Sequence, residues 1–118
     1  MNCTSFTFAD LFAGIGGARL GFEQAGGTCV FACETDGDAR RTYEENFGET
    51  PAGDIREIPP EELPDFDILL ADFPYPTSQV WGVRGLFDAV EAILREKRPE
   101  AFFLENVQHL LTNSGGMT

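Results

Sequence analysis

The sequence predicts an α/β fold whose sheet is mostly parallel. Short apolar runs alternate with segments of helical periodicity, which is the order of βαβ units. The predicted strands cover residues 6–12, 29–34, 67–71 and 101–104, and the predicted helices cover residues 18–25, 36–47 and 86–97. A chain of 118 residues buries roughly 65% of its unfolded surface, which suffices for one sheet with a few helices. We therefore expect residues 1–118 to form one small domain.

Turn and capping residues set the limits of these elements. Gly26 and Gly27 are expected to stop the first helix. Asp36 has the position of an N-cap for the second helix, and Gly48 follows the end of that helix. Residues 49–64 are rich in proline and acids, so we expect mostly loop there, with a short strand near Asp54 and Ile55.

The two later apolar runs, residues 67–71 and 101–104, are expected to be buried strands, since parallel strands are covered on both faces. The third helix, at 86–97, has apolar residues at helical spacing and charges on the opposite side. After Leu111 the sequence is typical of a frayed loop.

The charge of the chain limits its partners. Lys and Arg total 8 against 20 acids, which gives a formal net charge of −12. Proteins that bind DNA neutralise phosphates with Lys and Arg. We therefore expect this chain alone to bind duplex DNA weakly or not at all.

Cysteine and histidine usage argues against a metal centre. Cys3, Cys29 and Cys33 lack metal-type spacing and are expected to be free thiols, and His109 is the single histidine. No apolar run is long enough to span a membrane, and the N-terminus lacks a signal-peptide pattern. The expected location is the cytoplasm.

Three features at predicted strand ends indicate an adenosine-containing ligand. Glycines at residues 14, 16 and 17 follow the first strand, where the backbone can approach a ligand closely. Glu34 ends the next strand and is placed to accept hydrogen bonds from ribose hydroxyls. Asp54 and Ile55 could bracket an adenine. Taken singly, these features also fit a tight turn, an exposed helix-capping acid and an ordinary turn, and they do not separate NAD from S-adenosylmethionine.

The ordered motifs resemble the cytosine-5 DNA methyltransferases. The sequence FADLFAGIGG at 8–17 is similar to the first signature motif of that family, and RLGF follows at 19–22. The resemblance continues through Glu34, Tyr43-x-x-Asn46-Phe47 and Gly53-Asp54-Ile55, and through residues 67–74 and 97–107. It implies a Rossmann-like S-adenosylmethionine-dependent methyltransferase fold, truncated because the C-terminal strands and the target-recognition domain are absent.

The resemblance also implies the chemistry. Family enzymes flip the target cytosine out of the duplex, and a cysteine thiolate adds to the ring at C6 before the methyl group is transferred. Glu105, in the Glu-Asn-Val motif, is the implied cytosine contact. The implied cofactor-binding residues are Asp10, Phe12, Ala13, Gly14, Gly16, Gly17, Glu34, Thr35, Asp54, Ile55, Asp72, Pro74 and Leu86.

The chain departs from the family at the nucleophile. Tyr75 stands where the family has the catalytic cysteine, Asp72 stands where it has a glycine, and the following loop is shorter. A phenol with a pKa of about 10 is a poor replacement for a thiolate. Ser78 has no histidine base. We therefore expect this chain alone to bind cofactor at most and to be catalytically inactive.

Two other interpretations stay open. The chain could be one component of a split methyltransferase, completed by a partner chain that supplies the target-recognition lobe. It could also be a non-catalytic acidic module that binds a protein or occupies a basic surface.

Overall fold

The described part of the chain contains one four-stranded parallel sheet. The computed structural model describes residues 5–74 and 80–105. The strands are β1 (Phe6–Leu11), β2 (Gly27–Cys33), β3 (Ile68–Asp72) and β4 (Ala101–Glu105), in the spatial order β2-β1-β3-β4. The helices are α1 (Gly17–Gln24), α2 (Gly37–Phe47) and α3 (Val80–Lys97), with two 3₁₀ turns at Ile55–Glu57 and Pro60–Glu62. The predicted α/β fold with a parallel sheet is confirmed.

Two faces of the sheet carry different parts of the core. On one face, Leu11 and Leu69 are fully buried against Val90 and Ile93 of α3. On the other face, the Phe8 ring lies 5.7 Å from the Phe22 ring of α1. No helix in the described ranges is both long and apolar enough to cross a membrane.

The predicted caps of α2 are confirmed. Asp36 is the N-cap, and its carboxylate accepts a hydrogen bond of 2.9 Å from the amide of Ala39. Gly48 ends the helix in the left-handed conformation, with φ of 71°.

The short strand predicted near Asp54 and Ile55 is not formed by these two residues. Those residues begin a 3₁₀ turn, because the Asp54 carboxylate accepts the amide of Arg56 at 2.9 Å and turns the chain. The strand-like contact lies two residues earlier, where Ala52 forms an isolated parallel bridge with Cys33.

The prediction that residues 101–104 are buried is also wrong. They form β4 at the edge of the described sheet, where Phe102 is 57% exposed and Phe103 is 51% exposed. An edge strand has a neighbour on one side only, so apolar character in the sequence did not predict burial.

Helix α3 begins at Val80, six residues before the predicted start, and the predicted loop after Leu111 lies outside the described residues.

Asp10 is a buried acid in β1, an inner strand of the described sheet. It is 2% exposed, and its Oδ2 has no hydrogen-bond partner among the described residues. Burial raises the pKa of Asp10 to about 7, with Arg19 opposing the rise and Asp72 and Glu34 adding to it. The folded chain therefore holds a neutral carboxyl at mildly acidic pH, whereas the unfolded chain ionises at its usual value.

We expect Asp10 to make the chain less stable as the pH rises. Because its folded pKa lies above its unfolded pKa, its contribution is fully present below about pH 4 and is lost as the pH approaches 7. Relative to an Asp10→Asn variant, the wild type should lose about 2 kcal/mol of unfolding free energy between pH 5 and pH 7. Urea unfolding of both proteins at pH 5 and pH 7 measures the unfolding free energies. If the difference in unfolding free energy between wild type and Asp10→Asn is the same at both pH values, the prediction is contradicted.

Gly16 is required by both conformation and space. Its φ is 100°, and a Cβ at this position would overlap the Phe47 ring. We expect Gly16→Ala to lower the unfolding free energy by about 2 kcal/mol or more. Gly17→Ala is the matched control, since Gly17 begins α1 and a Cβ there meets nothing within 4 Å. Thermal unfolding of both variants is the measurement, and equal melting temperatures would refute the assignment.

Candidate functional site

A cavity of about 380 Å³ opens beyond the carboxyl ends of the strands. We call it the strand-end cavity. The register explains where it lies, because Leu11 of β1 stands opposite Cys33 of β2 and opposite Ala71 of β3. The segments that leave these strands therefore meet at one edge, where ligands bind in open parallel sheets. The cavity is lined by Phe12, Gly14, Cys33, Glu34, Thr35, Gly53, Asp54, Ile55, Arg56, Asp72, Phe73, Pro74 and Leu86.

Most of the sequence-predicted cofactor residues line this cavity. They are Phe12, Gly14, Glu34, Thr35, Asp54, Ile55, Asp72, Pro74 and Leu86. The other four do not line it. Asp10 is buried in β1, Ala13 is buried and donates its amide to Cys33 O at 2.9 Å, Gly16 packs against the Phe47 ring, and Gly17 begins α1.

Glu34 joins two of the segments that surround the cavity. Its Oε1 accepts a hydrogen bond of 2.8 Å from the amide of Gly14, and its Oε2 accepts one of 2.9 Å from the amide of Asp36. The glycine turn after β1 is thereby tied to the start of α2. Each carboxylate oxygen has about two acceptor sites, so Glu34 retains acceptor capacity towards the cavity.

The glycine turn is also supported from behind by α2. The side chain of Asn46 donates to Ile15 O at 3.0 Å. The ring of Phe47 lies under Gly16, and the Arg19 guanidinium stacks 4.4 Å from the centre of that ring. Asn46 and Phe47 therefore support the turn and do not line the strand-end cavity.

The floor of the cavity contains an aromatic contact that the sequence did not indicate. The rings of Phe12 and Phe73 lie 5.1 Å apart, and Phe73 lies 5.9 Å from Phe87 of α3. Phe73 is buried, and it follows β3 directly. The sequence signal for Phe73 was its position directly after β3, because residues that follow parallel strands lie at the edge of the sheet where ligands bind.

Asp54 is already paired inside the site. Its Oδ2 accepts from Arg56 Nη2 at 2.6 Å, and its Oδ1 accepts from Arg56 Nε at 3.0 Å. Hydrogen bonding from the Arg56 side chain holds the pKa of Asp54 below its usual value. The sequence analysis did not identify Arg56 as a site residue. Its position two residues after Asp54 was the signal that its side chain could pair with that carboxylate.

The lining of the cavity is acidic. Glu34, Asp54 and Asp72 contribute carboxylates, and Arg56 contributes a guanidinium. Such a lining favours ligands that carry positive charge or several hydrogen-bond donors.

In residues 5–74 and 80–105, no group of three or more His, Cys, Asp or Glu residues has an arrangement that could hold a metal ion.

Glu105 lies beside the cavity and not in it. It ends β4 in register with Asp72, and its carbonyl accepts the amide of Phe73 at 3.2 Å. Its exposed side chain lines a shallow hollow on the α1 side of the sheet, and Asp72 lines both this hollow and the strand-end cavity. Tyr75 and Ser78 lie outside the described residues.

The described cysteines are free but poorly suited to nucleophilic attack. Burial raises the pKa of Cys33 to about 12, although this thiol lines the cavity. Burial also raises the pKa of Cys29. Both side chains are therefore thiols and not thiolates near neutral pH. Cys3 lies outside the described residues.

Known structures share the fold. The methyltransferase Dnmt2 of S. pombe superimposes with a TM-score of 0.62 at 18% identity, over 76% of this chain and 29% of that protein. The PH0226 protein of Pyrococcus horikoshii gives a TM-score of 0.52 at 15% identity, over 95% of this chain and 55% of that protein. The predicted Rossmann-like methyltransferase fold is confirmed.

Sequence comparison gives the family. Type II methyltransferase M.HaeII of Haemophilus aegyptius is 52% identical over 117 residues, and M.NgoBI of Neisseria gonorrhoeae is 51% identical over 117 residues. Each match covers 92% of this chain and 37% of the relative, so the chain spans little more than a third of their length. The family model for C-5 cytosine-specific DNA methylases matches residues 6–118. The chain therefore belongs to the C-5 cytosine-specific DNA methylase family.

Proposed function

We propose that this chain is a partial catalytic domain, the S-adenosylmethionine-binding part of a cytosine-5 DNA methyltransferase. On its own, the chain binds this cofactor at most and does not methylate DNA. One observation carries the proposal: a single cavity of about 380 Å³ is lined by most of the residues that the family resemblance implies for the cofactor. This volume is typical of sites for small ligands and cofactors.

The groups around the cavity fit the parts of the cofactor. Glu34 would accept hydrogen bonds from the ribose hydroxyls, and Asp54 would accept one from the exocyclic amine of adenine. Ile55 and Leu86 would contact the adenine faces, while the turn at Gly14 would lie beside the methionine part. The cofactor supplies a methyl group on a positively charged sulfonium, and the three carboxylates of the lining complement that charge.

Three features support the absence of methylation by the chain alone. Tyr75 stands at the position of the nucleophile, and the described cysteines have raised pKa values. The net charge of −12 disfavours duplex DNA.

The exposed edge of the sheet favours a second candidate function, a component of a split methyltransferase. Strand β4 is at the edge of the described sheet and exposes Phe102 and Phe103 on opposite faces. Additional polypeptide could continue the sheet there and cover both rings. The greater length of the curated relatives is compatible with this interpretation.

We expect Glu34→Ala to weaken S-adenosylmethionine binding about tenfold or more, because the ribose would lose hydrogen bonds to a charged group. Glu34→Gln should have an intermediate effect, since it keeps an acceptor for the amide of Gly14. Glu45→Gln removes the same charge from an exposed position of α2 and is the matched control. Calorimetric titration is the measurement. Undetectable binding by the wild type, or equal binding by Glu34→Ala, would reject the proposed site.

We expect no methyl transfer to duplex DNA from the wild-type chain or from Tyr75→Cys, because recovery of the thiol restores neither the shortened loop nor the part of the relatives that this chain does not span. Transfer of a labelled methyl group to DNA is the measurement. The same assay is repeated after addition of the part of M.HaeII that this chain does not cover, produced as a separate polypeptide.

Each outcome of this assay favours one interpretation. Activity of the wild-type chain alone contradicts the proposal. Activity of the wild-type chain only with the added polypeptide favours the split enzyme. Activity of Tyr75→Cys alone would mean that the side chain at this position is the sole defect.

A further inference from the structure

The pairing of Asp54 with Arg56 occupies the carboxylate that the cofactor would need. The Asp54 oxygens receive three donors, namely the Arg56 backbone amide at 2.9 Å, Nε at 3.0 Å and Nη2 at 2.6 Å. An ionised carboxylate has about four acceptor sites. Little acceptor capacity is therefore left for a ligand amine while this side chain is in place.

Arg56 is also a lining residue of the strand-end cavity. Its Nη1 is 4.0 Å from the position that a Cβ on Gly85 of α3 would take, so the side chain extends from the 3₁₀ turn towards α3. Asp54, Arg56 and Leu86 all line the cavity. The guanidinium thus lies on the carboxylate that the exocyclic amine would use in the proposed function.

The ion pair can be broken at small cost. The Arg56 side chain is 50% exposed and the Asp54 side chain is 21% exposed. Ion pairs this accessible contribute little to stability, because water solvates both partners and a long side chain loses freedom when it is held. The Arg56 side chain can therefore leave the carboxylate and be solvated, while the Asp54 carboxylate still accepts the backbone amide of Arg56 and caps the turn.

We propose that the Asp54–Arg56 ion pair is a displaceable element that regulates ligand binding at the adenine end of the cavity. This inference rests on the proposed function. In the ligand-free chain, Arg56 holds Asp54. A ligand with an exocyclic amine takes its place on the carboxylate, so each binding event includes the cost of breaking the ion pair. Arg56 is then a specificity-determining residue that lowers affinity for amine-bearing ligands and leaves amine-free ligands unaffected.

The test uses two uncharged probes, which remove the attraction between a sulfonium and the acidic lining. One probe is 5′-methylthioadenosine. The other is the matching purine riboside, which has no exocyclic amine. Calorimetric titrations compare the wild type with Arg56→Ala. The control is Arg41→Ala, which removes an exposed arginine from its ion pair with Asp38 on α2.

We expect Arg56→Ala to bind 5′-methylthioadenosine about two- to fivefold more tightly than the wild type, which is the range for an accessible ion pair. Its affinity for the amine-free probe should not change, and Arg41→Ala should bind both probes like the wild type. Because salt screens the ion pair, the wild-type affinity for 5′-methylthioadenosine should rise with ionic strength, and that of Arg56→Ala should not.

The possible results separate this inference from the proposed function. If the wild type and Arg56→Ala bind 5′-methylthioadenosine equally, the displacement is overturned while the cofactor site stands. A change of the same sign and size for both probes would indicate a structural effect of the substitution and also overturns it. If neither protein binds either probe, the inference fails, and the proposed function fails with it where the wild type also does not bind S-adenosylmethionine.

Discussion

The parallel register of β1, β2 and β3 is the constraint on which the site depends. Because β1, β2 and β3 end level with one another, the residues that follow them are brought to one edge of the sheet. Phe12, Glu34 and Asp72 are distant in sequence, yet all three line the same cavity. A shift of one residue in this register would turn every strand side chain to the opposite face and would separate these groups.

The sequence predicted most of this arrangement, because the signals involved are local. The alternation of apolar runs with helical periodicity gave the order of strands and helices, and Asp36 and Gly48 marked the limits of α2. Glu34 was predicted to face a ligand from its place at a strand end. What could not be predicted is that both of its oxygens also hold backbone amides, since this depends on the distance between two turns in the folded chain. Its contact with a ligand remains a prediction.

The errors and omissions arise where tertiary contacts override local pattern. Asp54 begins a turn and not a strand, because its side chain bonds to an amide two residues ahead. The apolar sequence of β4 indicated burial, but burial depends on what covers a strand and not on its composition. The cavity is also lined by Arg56 and Phe73, whose positions in the sequence belong to no helical or strand periodicity. Asp10, which the resemblance groups with the cofactor-binding residues, is buried in β1, and its contact with a ligand remains a prediction.

The hydrogen bond from the Gly14 amide to Glu34 has a spectroscopic consequence. At 2.8 Å to a carboxylate, this amide proton should resonate well downfield of an ordinary loop amide, and it should exchange slowly with solvent. Any group that bonds to the same carboxylate withdraws electron density from it and shifts that resonance. The Gly14 signal in a nitrogen-15 spectrum would therefore report whether a ligand is bonded to the Glu34 carboxylate. The measurement needs neither a label on the ligand nor enzymatic turnover.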